Sequence, residues 1–342
     1  MKTMFIEEKE LLVEKFLHLP VVDYCEAYNE TENGFSVLFQ LVDGVQIKMK
    51  VIVLKRSFPK QVGQAIKELQ ELPKEIYGVV VAPYISDTSA QLCIENQVGF
   101  FDVVGNCYIS VYSIYMHEKG NPNTNIEKPQ IKALFSATAT TTSSILRELL
   151  RDVGKNWKLA HLANAVGCSI GQVSKVKQYL CDQCWAEMGA EGLRITNAKA
   201  LLDAWSSEYK IDSSRIINCY SLDPISVFED KLRQIKVKNG IDSYLTAFAG
   251  GVRYAPVVRY NKIHVIVRPE DVKEIMLITN CKKVETGANI VIVVASDEML
   301  IDTREVNGYA VASPVQVYLD SMQLKGRGEE LAEAVFTKEI EA

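Results

Sequence analysis

Apolar positions recur every three to four residues over 5–18 and again over PKQVGQAIKELQEL (59–72), which predicts two amphipathic helices. Between them the period drops to two. GFSVLFQLVDGVQIKMKVIVLKR (34–56) reads as two strands joined at Asp43-Gly44, a strong hairpin signal. IYGVVVAPYI (76–85) is almost unbroken in its apolar run, as a buried strand is. SDTSAQLCIENQV (86–98) predicts a helix with Ser86 as N-cap, and FFDVVGNCYISVYSIY (100–115) a strand pair broken at Gly105-Asn106. That order predicts an α/β domain over 1–117.

The pattern then fades. HEKGNPNTNIEKPQIKALFSATATTTSS (117–144) is rich in Asn, Pro, Ser and Thr, and a linker is expected over 118–143. Residues 144–205 read as mainly helical with one short polar hairpin. Residues 206–342 return to mixed elements: KIHVIVRP (262–269) and NIVIVVAS (289–296) as strands, and SPVQVYLDSMQL (313–324) as a helix with Ser313 at the N-cap and Pro314 at the first position. GRGEELAEAVFTKEIEA (326–342) closes the chain as a helix whose Glu329 and Glu330 suit its positive end. A multi-domain α/β protein with a helical centre is expected.

The centre carries the most specific pattern. SSILRELLRDV (143–153) and NWKLAHLANAV (156–166) predict two short helices, with Ile145, Leu149 and Leu150 inward on the first and Leu159, Leu162, Ala163 and Val166 on the second. After Gly167 a third helix starts, with Ser169 able to cap it. At 100° per residue, Ile170, Val173, Val176 and Leu180 fall on one face. Gly171, Ser174, Lys175 and Gln178 fall opposite, with Gln172 and Tyr179 at the flank. WAEMGAEGLRITN (185–197) then reads as strand, Gly189–Gly192 tip, strand. Three helices and a hairpin are the grammar of a winged helix-turn-helix, expected over 144–205. Its third helix would present Ser169, Gly171, Gln172, Ser174, Lys175 and Gln178 to the major groove of double-stranded DNA, while Lys155, Lys158 and Arg194 reach phosphates. Winged helices also serve as protein-binding modules, and that alternative stays open.

Composition narrows the partners. The 342 residues carry a net charge of −5, which excludes a strongly basic nucleic-acid coat but not a local basic patch, so affinity should be modest, salt-sensitive and helped by homodimerisation. MKTMFIEEKELLVEKFLHL, at the start, has neither a long apolar run nor a small-residue cleavage site; no membrane span is expected and the cytoplasm is the expected location. Eight scattered cysteines suggest buried free thiols.

Helix, strands ending VIVLKR, then helix is the order of restriction-endonuclease-like cores, in which two acids hold Mg²⁺ and a lysine orients water. Lys55 and Asp43 could fill two of those positions, but Val53 occupies the second acid position and Asp43 has a simpler role in the turn. A nuclease-like scaffold without catalysis is the expectation, with Lys55, Arg56 and Lys60 either touching a phosphate backbone or solvated. No catalytic residue, metal site or cofactor is expected. Cys181 and Cys184 form C-x-x-C without a second ligand pair, so packing is favoured. FDVVGN suggests a Gly105-Asn106 turn more than a pocket around Asp102. AGGVRYAP (249–256) fits no phosphate loop; Arg253, Arg259 and Lys262 make a second basic strip or, more simply, a solvated edge. His18, His117, His161 and His264 suggest no triad.

WKLAHLANAVGCSIGQVSKVKQYL (157–180), LLDAWSSEY (201–209) and SPVQVYLDSMQLKGRGEELAEAV (313–335) resemble the AbiEi-type antitoxin regulators of type IV toxin–antitoxin systems, and VVVAPYIS (79–86) and FFDVVGN (100–106) resemble that family's leading domain. The resemblance implies a winged-helix repressor of its own operon, binding an operator upstream of its gene, beside a nucleotidyltransferase-type toxin. A metal-dependent nuclease and a non-catalytic interaction scaffold are the alternatives.

Overall fold

The computed structural model describes residues 5–121, 134–136 and 139–341. Most of the expected linker, 122–133 and 137–138, lies outside them. The chain forms two compact units: Met1–Lys128 with Cys181–Cys184, and Pro129–Leu180 with Trp185–Ala342. The fold class is mixed α/β in both.

The first unit runs α1 (Ile6–Leu17), β1 (Val22–Thr31), β2 (Gly34–Leu41), β3 (Gln46–Val53), α2 (Pro59–Gln70), β4 (Ile76–Ala82), α3 (Asp87–Glu95), β5 (Gly99–Asp102), β6 (Cys107–Val111) and β7 (Ile114–Glu118). Its seven strands lie in sequence order. The β3–β4 and β4–β5 pairs are parallel and the others antiparallel. The central strand shows why a continuous apolar run was needed. Val79 and Val81 face the α1 side, where Phe16 stacks on Phe39 at 4.9 Å between ring centroids. Val80 and Ala82 face the α2–α3 side, against Val62, Ile66 and Cys93. Each fully buried aliphatic side chain contributes about 1.5–3 kcal/mol. The Asp43-Gly44 turn forms as the sequence indicates: Gly44 takes φ 88° and the Val45 N–H donates to Asp43 Oδ1 at 3.0 Å. FFDVVGNCYISVYSIY makes three strands rather than two, with a second reversal at Tyr112, whose φ is 54°.

The second unit begins with α4 (Thr140–Leu150), α5 (Leu159–Val166), α6 (Ile170–Asp182), β8 (Ala186–Met188), β9 (Leu193–Ile195) and α7 (Ala198–Glu208). It continues with β10 (Ile216–Tyr220), α8 (Ile225–Asn239), β11 (Ser243–Thr246), α9 (Ala247–Tyr254), β12 (Ile263–Val267), α10 (Val272–Ile278), β13 (Lys282–Lys283), β14 (Ile290–Val294), β15 (Arg304–Val306), β16 (Tyr309–Val311), α11 (Pro314–Met322) and α12 (Gly328–Glu339). The second sheet has the order β13-β10-β14-β12-β11-β16-β15, with β12–β14 and β11–β16 parallel. Phe228, Leu232 and Ile275 cover one face and Val317, Leu331 and Val335 the other. The glycines of AGGVRYAP have a packing cause. A Cβ on Gly251 would stand 2.5 Å from the Leu331 side chain, so α9 and α12 approach only because it is absent.

Candidate nucleic-acid interface

The turn between α5 and α6 is closed at both ends. Gly167 takes φ 73°, its N–H donates to Asn164 O at 3.3 Å, and the Cys168 N–H reaches Ala163 O at 2.9 Å, which satisfies the last carbonyls of α5. Ser169 then caps α6 as its sequence position indicates. Its Oγ accepts from the Gln172 N–H at 3.2 Å, and Gln172 Oε1 accepts from the Ser169 N–H at 3.0 Å. This reciprocal box satisfies two orphan donors and fixes where the helix begins.

On α6, Val173, Val176 and Leu180 are buried. Ile170 is not: it is 54% exposed and leaves the apolar face to which the sequence assigned it. It sits on the first turn, roughly 90° from the centre of the stripe formed by the other three. Gly171, Gln172, Lys175 and Gln178 are exposed and Ser174 is half-buried. Lys175 forms no ion pair among the described residues.

The hairpin β8–β9 has a third member that the sequence did not disclose. Trp157 pairs with Leu193, its N–H donating to Leu193 O at 2.8 Å and the Leu193 N–H returning to Trp157 O at 2.9 Å. Gly192 makes this possible: a Cβ there would lie 2.5 Å from Trp157 O, and its φ is 134°. The three flanking cations are each engaged. Lys158 Nζ donates to Ala190 O at 2.8 Å, Lys155 Nζ lies 3.5 Å from the Trp157 ring centroid, and Arg194 pairs with Glu187 at 2.7 Å.

Elsewhere the candidates separate. Lys55, Arg56 and Lys60 are exposed in the first unit. Among the described residues no group of three or more His, Cys, Asp or Glu is placed to hold a metal ion. Asp102 is fully buried and accepts from the Ile85 N–H (3.1 Å), the Asn106 N–H (2.8 Å) and Asn106 Nδ2 (2.9 Å), so it staples the loop of FDVVGN. Five cysteines are buried, and burial pushes Cys25 and Cys93 up to about 12. Cys184 departs from the packing expected of it and is exposed, because it lies past the helix end in a left-handed turn, φ 59°. Arg253 drops out of the second basic strip: it pairs with the buried Glu229 at 2.6 Å and stacks 4.2 Å from the Tyr309 ring.

A polar network inside the second unit was missed. Arg147 on α4 is 2% exposed; its Nη2 donates to Gln316 Oε1 at 2.7 Å. Gln316 Nε2 donates to Asp320 Oδ1 (2.7 Å), as does Tyr209 Oη (3.1 Å), and Thr246 Oγ1 donates to Asp320 Oδ2 (2.5 Å). Burial raises the Asp320 carboxyl against these donors. The only sequence signal was Gln316 and Asp320 four apart on an otherwise apolar helix, which by spacing alone also fits a polar edge.

Residues 194–341 match the family model of the AbiEi antitoxin, a transcriptional regulator of type IV toxin–antitoxin systems. The AbiEi match starts in β9, at Arg194, and ends after α12; it takes in LLDAWSSEY and SPVQVYLDSMQLKGRGEELAEAV and leaves α4–α6 outside. The AbiEi description is that of a regulator. A search of curated proteins gives no significant match. Among solved structures, an EndoMS–dsDNA complex is 18% identical over 27% of this chain and 42% of that chain, TM-score 0.19. A repair endonuclease from Pyrococcus abyssi is 15% identical over 30% and 48%, TM-score 0.21. The chain thus spans less than half the length of each. No helix among the described residues is long and apolar enough to cross a membrane.

Proposed function

We propose that this chain is a DNA-binding, antitoxin-like transcriptional regulator that represses its own operon, with α4–β9 as a winged helix-turn-helix and α6 as its reading helix. The carrying observation is α6 itself: a helix fixed by a capping box, held by Val173, Val176 and Leu180, with Gly171, Lys175 and Gln178 turned to solvent. Glutamine and serine exchange hydrogen bonds with base edges, and lysine reaches a guanine edge or a phosphate. Lys155, Lys158 and Arg194 would exchange their internal partners for phosphates, which keeps affinity modest. The AbiEi description of the following segment supports the regulator class. In this reading 1–117 is a non-catalytic scaffold whose Lys55, Arg56 and Lys60 add backbone contacts, 118–143 a linker, 144–205 the DNA-binding part and 206–342 the antitoxin part. A homodimer on a two-fold operator and a nucleotidyltransferase-type toxin encoded nearby complete it.

The test is a mobility shift on a labelled duplex from upstream of the gene, with Mg²⁺, a salt series and a scrambled competitor. The expected result is specific binding with the DNA left intact, weakened at least about ten-fold in Lys175→Ala/Gln178→Ala. Cut DNA, or specific binding indifferent to the double variant, would overturn the assignment.

A further inference from the structure

Helix α4 buries a charge that no direct ion pair meets among the described residues; Asp320 and Glu298 act on it only from beyond contact. Ile145, Leu146, Leu149 and Leu150 are each at most 1% exposed, and Arg147 lies among them at 2%. Its Nε donates to Ser143 Oγ at 3.3 Å and its Nη2 to Gln316 at 2.7 Å, and its guanidinium sits 5.2 Å from the Trp205 ring. Its Nη1 is buried and has no hydrogen-bond partner. Among the described residues no carboxylate stands within ion-pair distance. A buried guanidinium with an open donor is a costly arrangement, and burial accordingly pushes its pKa down from the ordinary arginine value.

Arg147 lines a cleft of about 400 Å³, within the range of small-molecule sites. Lys210 and Arg215 line the same cleft, exposed and half-exposed, and neither forms an ion pair among the described residues. Asp212 and Glu298 also line it, but both are engaged: Asp212 Oδ1 accepts from the Ser214 N–H at 2.9 Å and Glu298 Oε1 from Ser296 Oγ at 2.6 Å. Both carboxylates keep their charge, so three cations outnumber two acids by one along this cleft.

We propose that this cleft binds a small phosphate-bearing molecule, with one phosphate oxygen on Arg147 Nη1 and the outer oxygens on Lys210 and Arg215. Phosphate fits better than a carboxylate because it offers several acceptors and up to two charges to three donors at different depths. A free small molecule fits better than a nucleic-acid backbone, since a duplex is too wide to enter a cleft of about 400 Å³. The site stands without the DNA reading; its consequence rests on it. Arg147 joins α4, the first helix of the proposed DNA-binding part, to Gln316 of α11, so a phosphate on Nη1 would alter this buried bond between them and act as an effector.

The experiment is calorimetric titration of the full chain with inorganic pyrophosphate, in parallel with Trp fluorescence, since Trp205 stacks on the guanidinium. Lys210→Ala/Arg215→Ala removes the outer donors at solvent-facing positions and leaves the core intact; Arg147→Lys keeps the charge and removes the fork. Saturable binding is expected, at least about ten-fold weaker in each variant. The proposal fails if the parent shows no saturable binding at millimolar pyrophosphate, or if both variants bind like the parent. It also fails if a random duplex at equal phosphate competes pyrophosphate off, which would place the site on a nucleic-acid backbone. None of these outcomes depends on whether the upstream fragment is bound.

Discussion

His264 on β12 shows what burial does to one ring. Desolvation, with the nearby Lys262 charge adding to it, pushes its pKa down to about 4, and its Nδ1 finds no partner. The unfolded chain protonates this ring near the ordinary 6.5, whereas the folded chain keeps it neutral. Between those values the unfolded state binds more protons, so stability rises with pH and is lost as pH falls from 6.5 towards 4. His264→Gln should flatten that acid-side loss by on the order of 2–3 kcal/mol, read from urea midpoints at pH 4.5 and 7.5. An unchanged slope would locate the acid sensitivity elsewhere. Asp102 is the opposite case, an acid whose value is structural. Asp102→Ala orphans three buried donors and should destabilise the first unit by about 3 kcal/mol, seen as an earlier urea midpoint with no gain or loss of metal affinity. At this scale the sequence was legible where a residue's neighbours in the chain decide its role. Ser86, Ser169 and Ser313 cap the helices they precede, and Asp43-Gly44 turns. Arg147 was not legible, because its fate depends on Gln316, a residue far along the chain.

Elements were read best where one face is apolar and worst where both are wet. β1 is ten residues long, yet only Val22 and Cys25 are buried, so no alternation announced it; it is an edge strand held by its pairing with β2. The Trp157–Leu193 pairing was unreadable for another reason: a single residue carries no period. It does leave a trace in Gly192, whose missing Cβ admits Trp157 O. Gly192→Ala should therefore cost about 2 kcal/mol, from the clash and the left-handed φ together, and shift Trp157 emission as the hairpin moves off the α5 entry. Unshifted emission with full stability would mean that the strand pairing is not what holds the hairpin. For α6 the spacing of Val173, Val176 and Leu180 gave the exposed face correctly, and Ile170 failed because it lies roughly 90° from the centre of the stripe those three form.

At the scale of the molecule, net charge −5 and a few local cations set how the proposed DNA binding should respond to salt. If Lys155, Lys158, Lys175 and Arg194 each neutralise one phosphate per half-site, log affinity against log salt should fall with a slope of about −3.6 per protomer, and Lys175→Ala should reduce it by about one. A salt-independent affinity would remove the electrostatic reading altogether. The two units were also unequally legible. The first sheet follows chain order, so each strand lies beside the next one read. The second sheet sets β11 beside β16, through Leu245 and Val311, a pairing that no local pattern encodes.

The bond from Arg147 to Gln316 spans 169 residues of chain. During synthesis α4, α5 and α6 leave the ribosome long before α11 exists, and until then the Arg147 guanidinium has no partner there. The strand that closes the second sheet beside β11 arrives equally late. A nascent or C-terminally clipped chain would thus carry α4–α6 on an unfinished base, prey to proteases, and the central helices would gain their full support only in chains that have been finished.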